Sequence, residues 1–394
     1  CCGASIGIAQ GAGCGKYLAQ WMVHGAADIN MRDFDPRRFG RWADQDYTRI
    51  KSFDDYHHMF VTHLPGQERM AGRPKRRSPL HEKLTAKGAV HMEGAGWERP
   101  KWFSPNGQQE EPGFRRNNVF ETVAAECKAV RERVGVLDLC SFAKFEVTGR
   151  DAPGFLDRFL ANRIPRKNGG IALAHHLTGR GRIETEFTVT RLADDHFYLL
   201  SSLSAELRDL DFLAHNRRDG EDITIRNVTE DFGALVVAGP RSRDVLQALT
   251  KVDLSNAAFR WLTAQEITLA GVELRALRVN YVGELGWELH VPMARLPEVY
   301  DAVWAAGEAH GIADFGLYAV NALRLEKAYR GWGAELTNEI TMIEADMARF
   351  VDFEKPDFTG RAATRISQSK PETRLVYLEV DAKDADPRGG EPLF

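Results

Sequence analysis

Long apolar runs are missing from these 394 residues. No stretch of 18 consecutive apolar residues occurs, so the sequence carries no signal of a membrane-spanning helix. Cysteine is scarce: the five, Cys1, Cys2, Cys14, Cys127 and Cys140, are scattered and form no C-x-x-C pair. That excludes a disulfide scaffold and makes a reducing compartment the simplest reading. An excess of one charge is also absent. The 52 Lys and Arg stand against 56 Asp and Glu, a net charge of −4 that argues against nucleic acid as a partner. The 12 histidines form no H-x-x-x-H and no Cys/His quartet. The adjacent pairs His57-His58 and His175-His176 would point to opposite sides of a strand, so no metal site is expected.

What is present begins with glycine. The opening "CCGASIGIAQGAGCGKYLAQWMVHG" is a Gly-rich stretch running into a helix, a common setting for bound phosphate. Two phosphate motifs fail on it. A P-loop needs glycine five residues before Gly15, where Gln10 stands, and Ser or Thr after Lys16, where Tyr17 stands. The dinucleotide fingerprint fails at Lys16 when started from Gly11, and at Leu18 when started from Gly13. Leu18, Trp21 and Met22 at i, i+3, i+4 predict a helix, with Gly25 just beyond its end.

The following residues, 26 to 118, read as irregular, basic in places, and rich in Gly, Pro and Trp. From 119 the pattern becomes regular. Residues 121–139 and 151–164 read as helices, the second with Asp151 as cap. Residues 143–149, 181–192 and 195–202 read as strands, and 204–218 as a helix. A buried strand, a Gly-Pro turn and a helix span 233–250; two strands about a Gly-containing turn span 274–292; helices span 294–311 and 316–331. Residues 374–394 read as one strand and a turn with nothing to pair with, which gives the chain the look of one cut at both ends. Strands and helices mix without a strict βαβ repeat, so the fold class is α+β.

In "GRIETEFTVTRL", Ile183, Phe187 and Val189 fall on one strand face and Glu184, Glu186, Thr188 and Thr190 on the other. Glu186 is either part of a solvated strand face or a carboxylate that hydrogen-bonds an N–H-rich heterocycle or handles a proton. "YVGELGWE" gathers Tyr281, Glu284, Trp287 and Glu288 about a turn: either a decorated hairpin, or the stacking face and acceptor that a flat polar ring needs. Arg324 suits a structural ion pair, and Lys75, Arg76 and Arg77 suit a solvated surface.

"GRIETEFTVTRL", "VAGPRSRDVLQALT", "VNYVGELGWELHVP" and "NALRLEKAYRGWGAEL" resemble the folate-binding domain shared by the glycine cleavage T protein and the folate-linked, FAD-dependent dehydrogenases of N-methylated glycines. "ERMAGRPKRRSPLHEKL" and "GAGWERPKWF" resemble the linker of the dehydrogenases alone. "GKYLAQWMVHG", "FDPRRFGRW" and "PGFRRNNVFETV" look most like the members acting on dimethylglycine. The implied organisation is a T protein-like folate-binding fold at 119–368. It is preceded by the C-terminal remnant of an FAD-dependent oxidoreductase domain at 1–50 and a connector at 51–118, and followed by the first strand of a C-terminal β-barrel at 369–394.

The resemblance implies oxidation of dimethylglycine to sarcosine by FAD, with the one-carbon unit passed to tetrahydrofolate as 5,10-methylenetetrahydrofolate. This chain would supply mainly the folate half and would not hold FAD by itself. Glu186 matches the family's catalytic carboxylate, where the T protein has Asp; the extra methylene alters its reach by about 1.5 Å. Thr185 and Phe187 line the same stretch. Tyr281 and Glu288 match folate contacts, with Leu289 and His290 beside them, and Phe350 is a candidate for the far wall. Gly3, Ala4, Ser5, Ile6, Gly7 and Ile8 match a loop over the isoalloxazine of FAD. One departure stands out: the T protein's folate-binding Arg aligns with Val320, and Arg324 aligns with a second, structural Arg. Sarcosine dehydrogenase, a stand-alone aminomethyltransferase and a non-catalytic folate-binding module are the alternatives. The implied partners are the small substrate, tetrahydrofolate, and an electron-transfer flavoprotein or oxygen as acceptor. The expected location is a soluble compartment, bacterial cytoplasm or mitochondrial matrix, any targeting segment preceding residue 1.

Overall fold

The computed structural model describes residues 7–392. In chain order its helices are α1 (Gly7–His24), α2 (Gln45–His57), α3 (His81–Ala86), α4 (Phe120–Glu132), α5 (Ala152–Phe159), α6 (Glu206–His215), α7 (Ser242–Gln247), α8 (Leu296–Gly307), α9 (Leu317–Glu326) and α10 (Arg361–Ser369). Its strands are β1 (Ala89–Gly94), β2 (Trp97–Phe103), β3 (Val134–Asp138), β4 (Ala143–Thr148), β5 (Ile171–Leu177), β6 (Ile183–Ala193), β7 (His196–Ser201), β8 (Thr224–Asn227), β9 (Phe232–Ala238), β10 (Ala264–Leu269), β11 (Val272–Leu277), β12 (Gly286–Pro292) and β13 (Ile312–Asp314). The chain divides into two compact units, each drawn from three separated segments: 1–40, 142–228 and 330–376 form the first, and 41–141, 229–329 and 377–394 the second.

The first unit is built on the sheet β5-β6-β7-β4-β8. The expected alternation holds along β6. Phe187 and Val189 enter a core with Phe145, Val147, Phe155, Phe197 and Leu199, while Ile183 joins a second cluster with Leu177, Leu336 and Met342. The β5–β6 hairpin turns at Thr178–Gly181. Gly181 has φ +73, and a Cβ there would lie 2.9 Å from the backbone nitrogen of Thr364, so both the turn and the passing helix require glycine.

The second unit is built on the sheet β10-β11-β12-β9-β3-β13, with β1 and β2 forming a separate hairpin. Strand β9 lies between β12 and β3, which is why its sequence is a near-continuous apolar run. Leu235 and Val237 enter the main core with Trp287, Leu289 and Val291, and Val236 and Ala238 enter a second cluster with Phe315 and Leu323.

Several expectations need correction. The helix read over 121–139 ends at Glu132, and Val134–Asp138 is a strand. A short buried apolar run cannot be told from a helix by periodicity alone, and here pairing with β9 and β13 decides. The helix read over 151–164 stops at Phe159. The chain then runs beside β5, with the Ala161 N–H donating to the His175 carbonyl, and Pro165 disfavours helix in the residue before it. Asp151 does not cap that helix; its carboxylate accepts from the Asp222 N–H. The segment read as irregular, 26–118, holds α2, α3 and the β1–β2 hairpin, whose Pro100 masks the strand signal. The strand expected within 374–394 is absent among the described residues. Val376, Tyr377, Leu378 and Val380 are exposed, and no neighbouring strand supplies a ladder. In the opening stretch, Gly7 to His24 form the helix α1, which ends with the Gly25 N–H donating to the Trp21 carbonyl.

Candidate functional site

In the first unit, β5 and β6 place His175 directly opposite Glu186 and His176 opposite Thr185. Alternation then separates the two pairs onto opposite faces. His176 and Thr185 face inward. The His176 ring stacks on Phe159 at 4.1 Å, and its Nδ1 bonds the Phe159 carbonyl at 2.8 Å. Burial lowers its pKa to about 4. Thr185 is fully buried, as is Phe187, so neither shares the face of Glu186.

Glu186 and His175 face the other way. The Glu186 side chain is 21% exposed, while His175 is fully buried; His175 Nε2 lies 2.8 Å from Glu186 Oε2. Among the described residues the buried His175 Nδ1 atom has no hydrogen-bond partner, which costs about 1–3 kcal/mol. The Phe350 ring lies 6.3 Å from the imidazole. The structure therefore brings Glu186 and Phe350 together through His175, a residue that the sequence patterns do not single out. The one signal for it is positional: His175 and Glu186 stand equally far from the Arg180–Gly181 turn.

Glu184, on the same face of β6, has a different environment. Arg208 from α6 forms an ion pair with its carboxylate and donates Nη1 to its backbone carbonyl at 3.1 Å; the Trp332 indole donates to that carbonyl at 3.3 Å. Asp35 stands 3.8 Å from Arg208. Burial raises the Glu184 pKa against the opposing pull of Arg208. Behind the strand lies Asp209. Burial is the main cause raising its pKa to about 6, opposed first by the Arg208 charge and then by the hydroxyls of Ser201 and Thr185 beside it. Neither Asp209 oxygen reaches hydrogen-bond geometry with a described partner.

In the second unit, Asn280 shapes the β11–β12 loop. Its side-chain oxygen accepts from the N–H groups of Val282 and Gly283, and its amide donates to the Glu284 carbonyl. Gly283 has φ +75, and a Cβ there would lie 2.5 Å from the Lys327 side chain. The loop leaves Tyr281 37% exposed, with its ring 6.0 Å from that of Tyr329 and inclined by 28°. Alternation along β12 places Glu288 and His290 on one face, 3.5 Å apart. Trp287 and Leu289 face the core and are fully buried; the indole meets Phe259 edge-on. Val320 packs against the core, and Arg324 donates to Asn321 and to the Tyr329 carbonyl.

In the first unit, Glu186 carries one carboxylate oxygen held by His175 and a second with no hydrogen-bond partner among the described residues. The candidate flavin contacts are less defined. Gly3, Ala4, Ser5 and Ile6 lie outside the described residues; Gly7 and Ile8 form the first turn of α1, where a Gly7 Cβ would meet nothing and Ile8 is fully exposed. Among the described residues no helix is long and apolar enough to cross a membrane.

Comparison with known proteins places these features. A model of the FAD dependent oxidoreductase central domain matches residues 24–78. Mouse mitochondrial dimethylglycine dehydrogenase is 42% identical over all of this chain and 46% of its own length. Human mitochondrial sarcosine dehydrogenase is 34% identical over 96% of this chain and 46% of its own. The chain thus spans about half the length of these relatives. The glycine cleavage system aminomethyltransferase T of Bartonella henselae shares the fold, with a TM-score of 0.64 at 23% identity, covering 75% of each chain. A model of the GCVT N-terminal domain matches residues 80–355, most of the chain, and the chain belongs to that family.

Proposed function

We propose that this chain is the folate-handling part of a longer FAD-dependent dehydrogenase that demethylates dimethylglycine to sarcosine and passes the one-carbon unit to tetrahydrofolate. The observation that carries the reading is the succession of a flavin-oxidoreductase match and a GCVT match along one chain, in a sequence 42% identical to a dimethylglycine dehydrogenase from end to end. Residues 1–50 belong to the flavin-linked domain, 51–118 to a connector, 119–368 to the folate domain and 369–394 to the start of a barrel. FAD, held mainly by the part of the protein outside this chain, would supply hydride acceptance from the N-methyl amine, and tetrahydrofolate would supply the acceptor for the carbon. Electrons leave to an electron-transfer flavoprotein or oxygen, in a mitochondrial matrix or a bacterial cytoplasm.

In this reading Glu186 accepts hydrogen bonds from the folate ring and holds a proton at its open oxygen during transfer. Phe350 flanks His175, the neighbour of Glu186. Tyr281 and Glu288 are further folate contacts, and holding the carbon away from water prevents its loss as formaldehyde. Thr185, Phe187 and Leu289 support the strands behind these groups.

The test uses the whole protein with methyl-labelled dimethylglycine and tetrahydrofolate. Label should accumulate in methylenetetrahydrofolate, and Glu186→Gln should slow that transfer about a hundredfold or more. Label that remains in formaldehyde whether or not folate is added overturns the folate role. A higher kcat/KM for sarcosine than for dimethylglycine overturns the substrate assignment.

A further inference from the structure

We infer that His175 is the positioning residue of the Glu186 carboxylate: its Nε2–H fixes one oxygen and leaves the other presented for the transfer reaction. The inference rests on the reading of Glu186 as the folate-facing carboxylate.

Three observations carry it. The two residues are a directly opposed cross-strand pair, with Nε2 and Oε2 2.8 Å apart. Their burial is graded: the imidazole is sealed in, and the carboxylate reaches solvent. Among the described residues no other polar group orients the imidazole, because Nδ1 is buried without a hydrogen-bond partner. His176 next to it shows how this strand holds a histidine that only packs: Nδ1 bonded to a carbonyl, and the ring stacked on Phe159. His175 has neither support. Among the described residues the one hydrogen bond of its imidazole goes to the carboxylate, and the tilted Phe350 ring stands at 6.3 Å. The proton belongs on Nε2, since a proton on Nδ1 would bury an N–H with no acceptor, which is more costly than a bare lone pair. Among the described residues His175 is also the sole hydrogen-bond partner of the Glu186 carboxylate, so no other hydrogen bond sets its direction.

The test compares two amides of similar polarity in the whole protein. His175→Gln can place its N–H where Nε2 stands; His175→Asn places it near Nδ1 and leaves Glu186 without a donor. With the label-transfer assay, His175→Asn should lower kcat for carbon transfer about a hundredfold while KM for tetrahydrofolate stays within about threefold. His175→Gln should recover to within about tenfold of wild type. In a Glu186→Gln background, His175→Asn should add less than about threefold, as expected for two groups acting through one function. Equal losses in the Gln and Asn variants, or losses that multiply with Glu186→Gln, overturn the inference. His175→Phe is a third variant; if it fails to fold, the Gln and Asn pair still decides. Wild-type transfer by Glu186→Gln alone would overturn the folate reading itself, a result visible without any His175 variant.

Discussion

Two glutamates share the polar face of β6, and their surroundings differ in what holds the charge. Glu184 meets a guanidinium in a nearly closed setting: its side chain is 10% exposed and that of Arg208 is 8% exposed. Arg208 and Trp332 also clamp the Glu184 carbonyl, so this region ties the strand to α6 and to the segment after α9. Glu186, one pleat further on, meets a single imidazole and keeps an oxygen open. The ion pair neutralises the Glu184 carboxylate through one oxygen, and its second oxygen is buried without a hydrogen-bond partner among the described residues. A single N–H directed at one oxygen orients the group and leaves the rest available. Residue type and strand face therefore do not separate these two carboxylates; the partner each one meets does.

The largest effect that would break this comparison is at Glu184. Replacing it by Leu leaves Arg208 buried with only the more distant Asp35 and the neighbouring Asp209 to offset its charge, at a cost of about 3–5 kcal/mol in a urea unfolding titration. Adding Arg208→Met should restore most of that loss, because removing both charges removes both desolvation penalties. A loss below about 1 kcal/mol for Glu184→Leu would mean the pair is not the strut described, and the contrast with Glu186 would fade.

How much of this is legible in the sequence follows from the range of the interactions involved. Period-2 alternation along 183–190 is a local signal, and by itself it puts Glu184 and Glu186 on one face. It equally puts Phe187 on the opposite face; Phe187 and Thr185 are folate candidates only through the resemblance, and the structure places both inside the core. The mixed α+β order is legible because strands, turns and helix starts carry local signals. Three features are not. The β3 strand reads as helix because its identity depends on β9, about 100 residues away. The link from His175 to Glu186 depends on hairpin register, which composition does not encode. The expected strand after 374 fails because a strand needs a partner, whatever its own alternation.

A third carboxylate sharpens the comparison by showing what burial does where, among the described residues, no hydrogen bond is made and the Arg208 charge only stands near. Asp209 is fully buried behind β6, and its folded pKa of about 6 stands above the unfolded 3.8. A raised folded value means the folded state binds the proton more tightly. Its stabilising contribution is therefore full below pH 3.8 and is lost as pH rises through 6. Asp209→Asn, whose amide can donate to the neighbouring hydroxyls, should stabilise the protein by up to about 3 kcal/mol at pH 7.5 and by nothing at pH 3.5. Thermal melts at the two pH values measure it. A gain independent of pH would point to packing, and a loss at pH 7.5 would mean that Asp209 is paired as Glu184 is.

The smallest effect is the most diagnostic. Glu186→Gln keeps a carbonyl oxygen for the His175 N–H, removes no buried ion pair and lies at a partly exposed position. Its stability should stay within about 1 kcal/mol of wild type by urea titration at neutral pH, since surface changes away from packed or paired groups seldom exceed that. The same substitution should abolish most carbon transfer. Large functional loss with little change in stability is the inverse of the result expected at Glu184, where the charge serves the fold. If Glu186→Gln instead destabilised the protein by as much as Glu184→Leu, the open oxygen would be structural, and the face of β6 would hold two struts and no reactive group.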